Sequence, residues 1–245
     1  MPMRQVCINQ EKNDIIQLFT TRYTGNMSHT REENKQNVDK RFEMIANTFN
    51  MSVDRMVLLN QTHGTDIFVA DESYIRGEKP VCDASVTNVP GICLVTIHAD
   101  CVPVYFHDKK TKSIGLAHSG WKGTLDGISI HVLDKMNEVY GTKAEDVEIV
   151  IGPCICKSCF EVKNDVYSLF AGKYPDYADC ITEGNIDLKG VIIRGLLDKG
   201  VREENIIDMD ICTCHNEDLF FSHRRGTKRN KSGEGAMAAL ACLKG

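Results

Sequence analysis

No apolar run in this chain of 245 residues approaches the length that a membrane-spanning helix needs, which is roughly 18 residues. The opening stretch, MPMRQVCINQEKNDIIQ, has no apolar core like that of a secretory signal peptide. We therefore expect a cytoplasmic protein with no membrane partner. Internal repeats and low-complexity linkers are also absent, so residues 1–245 are expected to form a single domain, as a monomer or a weak dimer.

A positive net charge is missing as well. The formal charge of -5 gives no general affinity for nucleic acid, so we expect no nucleic-acid partner. The chain has 11 cysteines, an odd number, and is longer than most disulfide-stapled secreted domains, so most of these thiols should be reduced. One stretch, HRRGTKRNK at residues 223–231, is locally basic. It is either a solvated loop or a site for phosphate or another anion.

Short β-type runs dominate the first half of the chain, and helical patterns enter later. The runs end at Gly, Pro, Asn, Asp or Lys and lie at residues 55–63, 66–71, 82–87, 92–100, 102–108, 113–120, 146–153 and 204–212. Apolar periodicity predicts helices within residues 31–50, 126–141, 160–174 and 188–200, whereas 237–244 fits a strand or a helix. Because strands and helices do not alternate strictly, we predict an α+β fold, with mixed β-sheets flanked by helices and a metal site at strand ends.

Three potential metal ligands stand at the ends of strand-like runs: His63 in NQTHGTD, Cys101 in HADCVP and His118 in AHSGWKG. They lie far apart in the chain, so only folding could bring them together. Two imidazoles and a thiolate suit Zn²⁺, and Cu²⁺ could bind in its place. Three protein ligands leave a fourth position for water or substrate, which is the catalytic pattern. Asp100, beside Cys101, could hold a ligand or move protons.

A second group of thiols competes as a metal site. The stretch CICKSC supplies Cys154, Cys156 and Cys159, and CTCH supplies Cys212, Cys214 and His215. Together they could hold a structural zinc ion or an iron–sulfur cluster. The spacing C-x-C-x2-C is not a strong cluster signature, so buried or redox-sensitive thiols are an equally open interpretation.

Several motifs, taken in order, resemble those of the laccase-domain family: NQTHGTD, CDASVT, ADCVPVYFHD, AHSGWKGT, IGPCI, FEV, ICT and FFSHRR. They run from about residue 60 to residue 225. That family is also described as multicopper polyphenol oxidase-like, and as a purine nucleoside phosphorylase with adenosine deaminase activity. The resemblance implies a cytoplasmic enzyme whose α+β fold is distantly like that of a bacterial toxin deamidase. It also implies a metal site on His63, Cys101 and His118.

Two positions depart from the family pattern. The family commonly has Tyr where this chain has His223. It often has TGR near the end, where this chain reads KSGEG at residues 231–235. The second departure removes an arginine, so any role of that arginine is in doubt here.

The activity that the resemblance implies is phosphorolysis of adenosine, inosine, guanosine or methylthioadenosine to free base and ribose 1-phosphate, with deamination of adenosine beside it. For phosphate, Lys122 lies at a predicted helix start, where free N–H groups attract anions. Arg224 and Arg225 can add forked, bidentate contacts. Trp121 could stack on the purine or anchor the core, and Gln61 could contact ribose or base.

Three other functions stay open. A copper-dependent polyphenol oxidase would need many imidazoles, yet the eight histidines include no His-x-His pair, and His98 and His107 are expected to be ordinary strand residues. Cys101 and His118 could instead be the nucleophile and base of an amidase, as in peptidoglycan-precursor editing. A non-enzymatic metal-binding module would require neither an open metal position nor a basic anion loop.

Overall fold

Two large β-sheets, a two-stranded ribbon and six α-helices make up the described part of the chain. The computed structural model describes residues 6–11 (backbone only), 14–32, 34–229 and 235–244. The strands, numbered in chain order, are β1 Val6–Glu11, β2 Ile15–Thr20, β3 Met56–Leu58, β4 Ile67–Val69, β5 Ala84–Thr87, β6 Cys93–His98, β7 Val102–Asp108, β8 Ser113–Ser119, β9 Val147–Ile151, β10 Ile181–Thr182, β11 Asn185–Ile186, β12 Ile206–Asp208 and β13 Met237–Leu243. The helices are α1 Lys35–Phe49, α2 Trp121–Asp126, α3 Ile128–Tyr140, α4 Asn164–Lys173, α5 Leu188–Asp198 and α6 His223–Lys228.

Both large sheets are mixed. The five-stranded sheet has the order β1-β2-β13-β6-β3, in which only the β3–β6 pair is parallel among the described pairs. The six-stranded sheet has the order β12-β9-β7-β8-β5-β4, with parallel pairs at its two edges. Strands β10 and β11 form a separate two-stranded ribbon. The predicted α+β class with mixed sheets is confirmed.

The two large sheets pack face to face on an apolar layer. Phe19 and Leu94 of the five-stranded sheet meet Tyr105 and Leu116 of the six-stranded sheet, and all four are almost completely buried. The phenol of Tyr105 crosses this layer and donates a 2.7 Å hydrogen bond to the carbonyl of Leu18. Burial of apolar area between sheets is the main stabilising contribution in such a layer.

Helices cover the two outer faces. α1 lies on the five-stranded sheet, with Phe42 and Ile45 packed against Leu18 and Val95. Its first turn begins at Asn34, whose side chain accepts a hydrogen bond from a backbone N–H and so caps the helix. α3, α4 and α5 contribute to the apolar cluster on the outer face of the six-stranded sheet. Within the described residues, no helix has the length and apolar character needed to cross a membrane.

The last strand, β13, settles the choice left open for residues 237–244. Its Ala-rich sequence is compatible with a helix, but it lies between β2 and β6 in the five-stranded sheet. Ala239 and Ala241 face the layer between the sheets, whereas Ala238 and Leu240 face α1. Because both faces are apolar, the sequence shows no polar alternation that would have identified a strand.

Three other local expectations differ from the structure. β2 was not predicted, and it is ordered by its pairing with β13. The helix expected over residues 126–141 is present as α3, but it begins two residues later, after Gly127, whose φ of 81° is in the left-handed region that favours glycine. The basic stretch at residues 223–231 is not a loop in its described part, because Ser222 caps helix α6. Residues 230 and 231 of that stretch lie outside the described residues, as do 231–234 of KSGEG.

The chain passes from the five-stranded to the six-stranded sheet at two neighbouring points. Residues 59–66 connect β3 to β4, and residues 99–101 connect β6 to β7. Each connection holds a non-glycine residue with positive φ: His63 at 63° and Asp100 at 91°. Such conformations persist only where surrounding contacts impose them. These two strained connections carry the candidate metal ligands.

Truncation of the α1 face should show how much its packing contributes to stability. Phe42 is completely buried against the five-stranded sheet. We expect Phe42→Ala to lower the free energy of unfolding by about 3–5 kcal/mol, because it removes a buried ring and leaves a cavity. Urea unfolding followed by circular dichroism measures the change. Phe49→Ala at the partly buried end of the same helix is the matched control, and an equal loss in both variants would contradict this prediction.

Candidate metal and catalytic site

His63, Cys101 and His118 meet at one end of the two sheets. Their donor atoms all lie within 4.8 Å of one another, and Cys101 Sγ is 3.9 Å from His63 Nε2. Antiparallel pairing explains part of this arrangement, because the end of β8 lies beside the start of β7 and Pro103 is paired with His118. The first sheet connection brings His63 to the same place. We call these three residues the metal trio.

Asp83, just before β5, organises the trio. Its carboxylate is fully buried and accepts a 2.8 Å hydrogen bond from Nδ1 of His118. It also accepts hydrogen bonds of 2.8–2.9 Å from the backbone N–H groups of Thr62, His63 and Gly64. Asp83 therefore imposes the strained turn that carries His63. It also orients the His118 ring so that Nε2 is directed to Cys101 and the ligand position.

The close approach of the ligands depends on a glycine. A Cβ atom on Gly120 would lie 2.6 Å from Cδ2 of His63 and 3.3 Å from Sγ of Cys101. Because such a distance to a ring carbon is not tolerated, any larger residue would push His63 away from the trio. The glycine of the SGWKG motif thus permits the three donors to converge.

The half-buried Cys101 and the buried His118 polarise each other. Burial alone would raise the pKa of the Cys101 thiol, but the charge of His118 and hydrogen bonds from His118 and His63 lower it to about 6. Burial likewise opposes protonation of His118, but the Cys101 thiolate and the Asp83 carboxylate raise its pKa to about 9. Burial also opposes ionisation of Asp83, yet hydrogen bonds from His118 and Gly64 hold the pKa of its carboxyl below the usual value. Cys101 is therefore a thiolate at neutral pH.

The donor set of the trio fits a divalent transition metal. Zinc binds thiolate sulfur at about 2.3 Å and imidazole nitrogen at about 2.0–2.1 Å, which separates neighbouring donors by roughly 3.5 Å in a tetrahedron. The distances in the trio are compatible with small side-chain adjustments around such an ion. The Asp83–His118 pair is the carboxylate–histidine arrangement that supports metal-binding histidines. The metal itself is not identified by this geometry, because copper takes the same ligand types.

Two cavities meet at the trio. The larger has a volume of about 940 Å³ and is lined by Gln61, His98 and Lys79 among others. The smaller has a volume of about 210 Å³ and is lined by Trp121, Phe160 and Arg224 among others. Both cavities are bordered by His63, Ala99, Cys101 and His223. The trio therefore separates two spaces that could each receive a small molecule.

Asp100 serves a different set of partners from the trio. Its carboxylate accepts hydrogen bonds from Thr213 Oγ1 at 2.6 Å, Ser222 Oγ at 3.0 Å and the backbone N–H of Arg224 at 2.7 Å. These contacts hold the strained connection before Cys101 and attach it to the start of α6. Asp100 also lines the smaller cavity, so a direct role there stays a prediction.

Of the two predicted arginines, Arg224 lines the smaller cavity, whereas Arg225 lines neither of the two cavities described above. Its guanidinium donates to the carbonyl of Cys159 at 3.1 Å and lies over the Phe160 ring at 5.4 Å. Arg225 is buried instead, and its guanidinium donates to the carbonyls of Thr213, Cys214 and Phe220 at 2.5–3.0 Å. The structure thus uses Arg225 to hold loops together.

The other predicted substrate contacts are placed unequally. Trp121 forms a wall of the smaller cavity and also packs against the core. Lys122 is exposed, with Nζ 5.6 Å from the Trp121 ring, and does not line either cavity described above. The amide of Gln61 faces the larger cavity but is paired with both the N–H and the carbonyl of Ile97.

The expectation that His98 is an ordinary strand residue is wrong. Its ring lies 5.1 Å from that of His118, and Nδ1 donates a 3.0 Å hydrogen bond to the carbonyl of Cys101. Nε2 accepts a 2.8 Å hydrogen bond from Thr96 Oγ1. Burial and the nearby charge of His118 hold the pKa of His98 well below its usual value, so this imidazole stays neutral. His107, in contrast, lies near Asp14 and Glu148, away from the trio.

Asp83 and His98 are site residues that the sequence motifs did not identify. The motif CDASVT contains an acidic residue directly before an apolar strand. Because a carboxylate is rarely fully buried without partners, a complete inventory of such residues would have singled out Asp83. Nothing in the sequence indicates that His98 turns back toward Cys101.

Comparison with known proteins gives a consistent match. Residues 19–244 match the profile of a family described as "Multi-copper polyphenol oxidoreductase laccase". Among curated relatives, the purine nucleoside phosphorylase YlmD of Bacillus subtilis is 30% identical and covers 89% of this chain and 86% of its own length. The human purine nucleoside phosphorylase LACC1 is 29% identical and covers 84% of this chain, which spans only 51% of that protein. The adenosine deaminase RL5 of an unknown prokaryotic organism is 29% identical, with 74% of each chain covered.

Solved structures share the fold. YlmD of Geobacillus stearothermophilus superposes with a TM-score of 0.86 at 28% identity, covering 94% of this chain and 92% of its own. The protein YfiH of Bacillus licheniformis superposes with a TM-score of 0.83 at 28% identity, covering 94% and 93%. The architecture described above is therefore that of these proteins.

Neutralising Asp83 should loosen the trio without removing a ligand. We expect Asp83→Asn to weaken metal binding at the trio about 10–100-fold, which is the usual effect of losing a carboxylate that orients a metal-binding histidine. Competition against a chromogenic chelator measures the affinity, and circular dichroism reports whether the fold is retained. Asp71→Asn, on the surface, is the control. Unchanged affinity in folded Asp83→Asn protein would contradict the prediction.

Proposed function

This chain belongs to the multi-copper polyphenol oxidoreductase laccase family, and we propose that it is a zinc-dependent purine nucleoside phosphorylase with adenosine deaminase activity. The names of its relatives support this family-level function. The proposed substrates are adenosine, inosine, guanosine and methylthioadenosine, each with inorganic phosphate. Zinc would be held by His63, Cys101 and His118.

The observation that carries the proposal is the junction of two cavities at the metal trio. Phosphorolysis joins two substrates at one reacting carbon, so it needs two adjoining binding spaces. The larger cavity is within the usual size range of small-molecule sites and has room for a nucleoside. The smaller one, at about 210 Å³, suits phosphate. His63, Cys101 and His223 border both spaces.

Arg224 is the proposed phosphate ligand. It lines the smaller cavity together with Cys101, and only one of its guanidinium nitrogens donates to the Cys159 carbonyl among the described hydrogen bonds. A guanidinium can present two parallel donors to a phosphate. Its nearest acidic partner, Glu161, is 3.8 Å away and half exposed, so a bound phosphate can compete for the charge. Trp121 would form the opposite wall of this space.

In the proposed phosphorolysis, a phosphate oxygen bonds to C1′ of the ribose as the C1′–N9 bond breaks. The bonding electrons pass to the purine, which takes a proton from solvent and leaves as free base. In the deamination, water adds at C6 of adenosine and ammonia leaves, so that inosine forms. A zinc ion supplies Lewis acidity at the junction when it is bound. Asp83 keeps His118 oriented throughout, and Asp100 holds the wall that carries Arg224.

Incubation of adenosine and inosine with and without phosphate tests the proposed function. We expect free base and ribose 1-phosphate only when phosphate is present, and inosine from adenosine in either case. Chromatography separates these products. Zinc-loaded protein that forms no free base from any of the four nucleosides would overturn the phosphorylase proposal.

The Arg224 assignment predicts that the two activities can be separated. We expect Arg224→Gln to raise the KM for phosphate by roughly tenfold or more, because a charge-assisted bidentate contact is lost. Deamination of adenosine should change little, since it uses no phosphate. Arg202→Gln, on the surface, is the matched control. Equal losses of both activities in Arg224→Gln would contradict the assignment.

A Cys–His amidase is a second candidate, favoured by the ion pair between Cys101 and His118. A thiolate beside an imidazolium that is oriented by Asp83 is also the arrangement of a cysteine nucleophile and its base. The position of His63, 3.9 Å from the sulfur, instead favours metal binding. No part of an amidase reaction uses a phosphate space.

Alkylation of Cys101 distinguishes the two candidates. We expect iodoacetamide to modify Cys101 rapidly in metal-free protein and at least tenfold more slowly in zinc-loaded protein, because a coordinated thiolate attacks poorly. Peptide mass mapping separates Cys101 from the other thiols, and the buried Cys93 is the internal control. Equal rates with and without zinc would favour the amidase.

A further inference from the structure

A second convergence of metal-binding groups lies outside the trio. It consists of Cys156, Cys159, Cys212 and His215, which we call the Cys3His cluster. The four donor atoms all lie within 4.8 Å of one another. We infer that this cluster binds a structural zinc ion in tetrahedral coordination, and that this ion joins the loop that lines the smaller cavity with Ile155 and Phe160 to the loop at residues 212–215.

Tertiary structure selects these four ligands from six candidates. Cys156 and Cys159 form a C-x2-C pair, and Cys212 and His215 form a C-x2-H pair. Two such pairs, far apart in the chain, are the usual arrangement of a closed zinc site. Cys154 and Cys214, which obscured this spacing in the sequence, are not members of this group of four, although the Cys214 thiol interacts with that of Cys159.

Each ligand pair lies on a tight turn, and the turns are held side by side. The N–H of Cys159 donates to the carbonyl of Cys156 at 3.1 Å, and the N–H of Asn216 donates to the carbonyl of Cys212 at 3.1 Å. A parallel β-bridge joins Cys154, just before the first turn, to Cys212, where the second turn begins. The loops are therefore positioned by the backbone, and the four donors need little rearrangement to receive an ion.

The donor atoms of the cluster lie within 4.8 Å of one another, so an ion that takes one ring nitrogen of His215 would reach tetrahedral distances after side-chain rotations. Cys159 Sγ lies 3.1 Å from Nε2 of His215, and Cys156 Sγ lies 3.8 Å from Nδ1 of the same ring. The N–H of Cys156 donates to Sγ of Cys212 at 3.4 Å. Around zinc, thiolate sulfurs are separated by about 3.8 Å from each other, and by roughly 3.5 Å from a ligating nitrogen. A backbone N–H directed at sulfur stabilises a ligating thiolate.

Charge around the cluster also favours an occupied site. Three thiolates and a neutral imidazole around Zn²⁺ leave one net negative charge. The Arg225 guanidinium is buried beside the second turn, where it donates to the carbonyls of Thr213 and Cys214. The Arg224 guanidinium donates to the carbonyl of Cys159 on the first turn. Both cations therefore lie on the loops that carry the excess negative charge.

The proposed ion lies behind the wall of the smaller cavity. Thr213, between two ligands, donates its hydroxyl to Asp100, and the N–H of Ile155 donates to the Asp100 carbonyl at 2.9 Å. Both loops thus hold the residue that precedes Cys101. An ion that joins the loops would restrict the connection that carries Cys101, without contacting substrate.

Metal analysis of the full chain, purified under reducing conditions with zinc present, tests the inference. We expect two zinc ions per chain in the wild-type protein and one in His63→Ala, which lacks only the trio site. Cobalt substitution identifies the remaining site by its ligands. Thiolate-to-cobalt charge-transfer absorption in His63→Ala should be roughly three times that of Cys212→Ser, because three thiolates remain in one site and one in the other.

Single variants test the ligand set. Cys156→Ser, Cys159→Ser, Cys212→Ser and His215→Ala should each lose one zinc after dialysis against a chelator. Cys214→Ala, inside the same motif, and Cys180→Ala, in the core, should keep two. The metal content is independent of nucleoside turnover, so this test can succeed or fail whatever the outcome for the proposed activity.

Three results would overturn the inference. The first is a wild-type chain that holds one zinc and loses it completely in His63→Ala. The second is iron with visible cluster absorption, or a disulfide between Cys156 and Cys159, in place of a second zinc. The third is retention of two zinc ions in His215→Ala together with loss of one in Cys214→Ala. The first two results need no variant of the cluster, so they do not depend on whether such a variant folds.

Discussion

The buried carboxylate of Asp83 is the constraint on which the candidate site depends. A carboxylate taken out of water is strongly destabilising unless hydrogen bonds replace its hydration. Here three backbone N–H groups and the His118 imidazole supply them. The same contacts that satisfy the charge also bend the His63 turn and orient His118. The stability of the charge and the geometry of the trio therefore have one cause, and neither can be altered alone.

Two passages of the chain between sheets make this arrangement possible. Where the chain leaves one sheet and enters the other, a few residues take no part in strand pairing, and their side chains lie in the gap at the ends of the sheets. His63 and Cys101 occupy these passages, whereas His118 stays within β8. The positive φ values of His63 and Asp100 show that both passages are strained, and buried carboxylates stabilise both of them. Asp83 acts on one passage, and the partners of Asp100 act on the other.

Hydrogen bonds to a second buried carboxylate, that of Asp100, also hold the wall of the smaller cavity. Asp100 is held by Thr213, Ser222 and the start of α6, and the same region contains the two turns of the Cys3His cluster. A metal in that cluster would act on the reaction only through position, because none of its four ligands lines either of the two cavities at the trio. Cys101 would then belong to a metal site at the reaction centre, and the cysteines of the Cys3His cluster to a structural metal site. Cys93 and Cys242, in contrast, are buried core residues.

Much of this could be predicted from the residues alone. Reactive side chains at the ends of apolar runs indicated the trio, and the order of strand and helix patterns indicated the α+β class. These are local features, which periodicity and turn residues encode directly. Strand β13 could not be predicted in this way, because a strand with apolar cores on both faces shows no alternation of polar and apolar residues. The hydrogen bond of His98 to Cys101 could not be predicted either, because the direction of one side chain does not affect the periodicity of the sequence.

Only the tertiary structure determined which of the candidate residues lie close together. Five cysteines and one histidine are candidate ligands of the second cluster, and their spacing in the sequence does not show which four belong together. The parallel bridge between Cys154 and Cys212 places the two turns side by side, and so brings the C-x2-C pair next to the C-x2-H pair. Likewise Arg224 and Arg225 are equivalent neighbours in the sequence, yet one faces a cavity and the other is buried under carbonyls. The chemical type of each side chain is a property of the single residue, so the sequence alone identified the candidate ligands. Their distances and directions depend on how β7, β8 and the sheet connections pack, so only the tertiary structure determined which candidates come together.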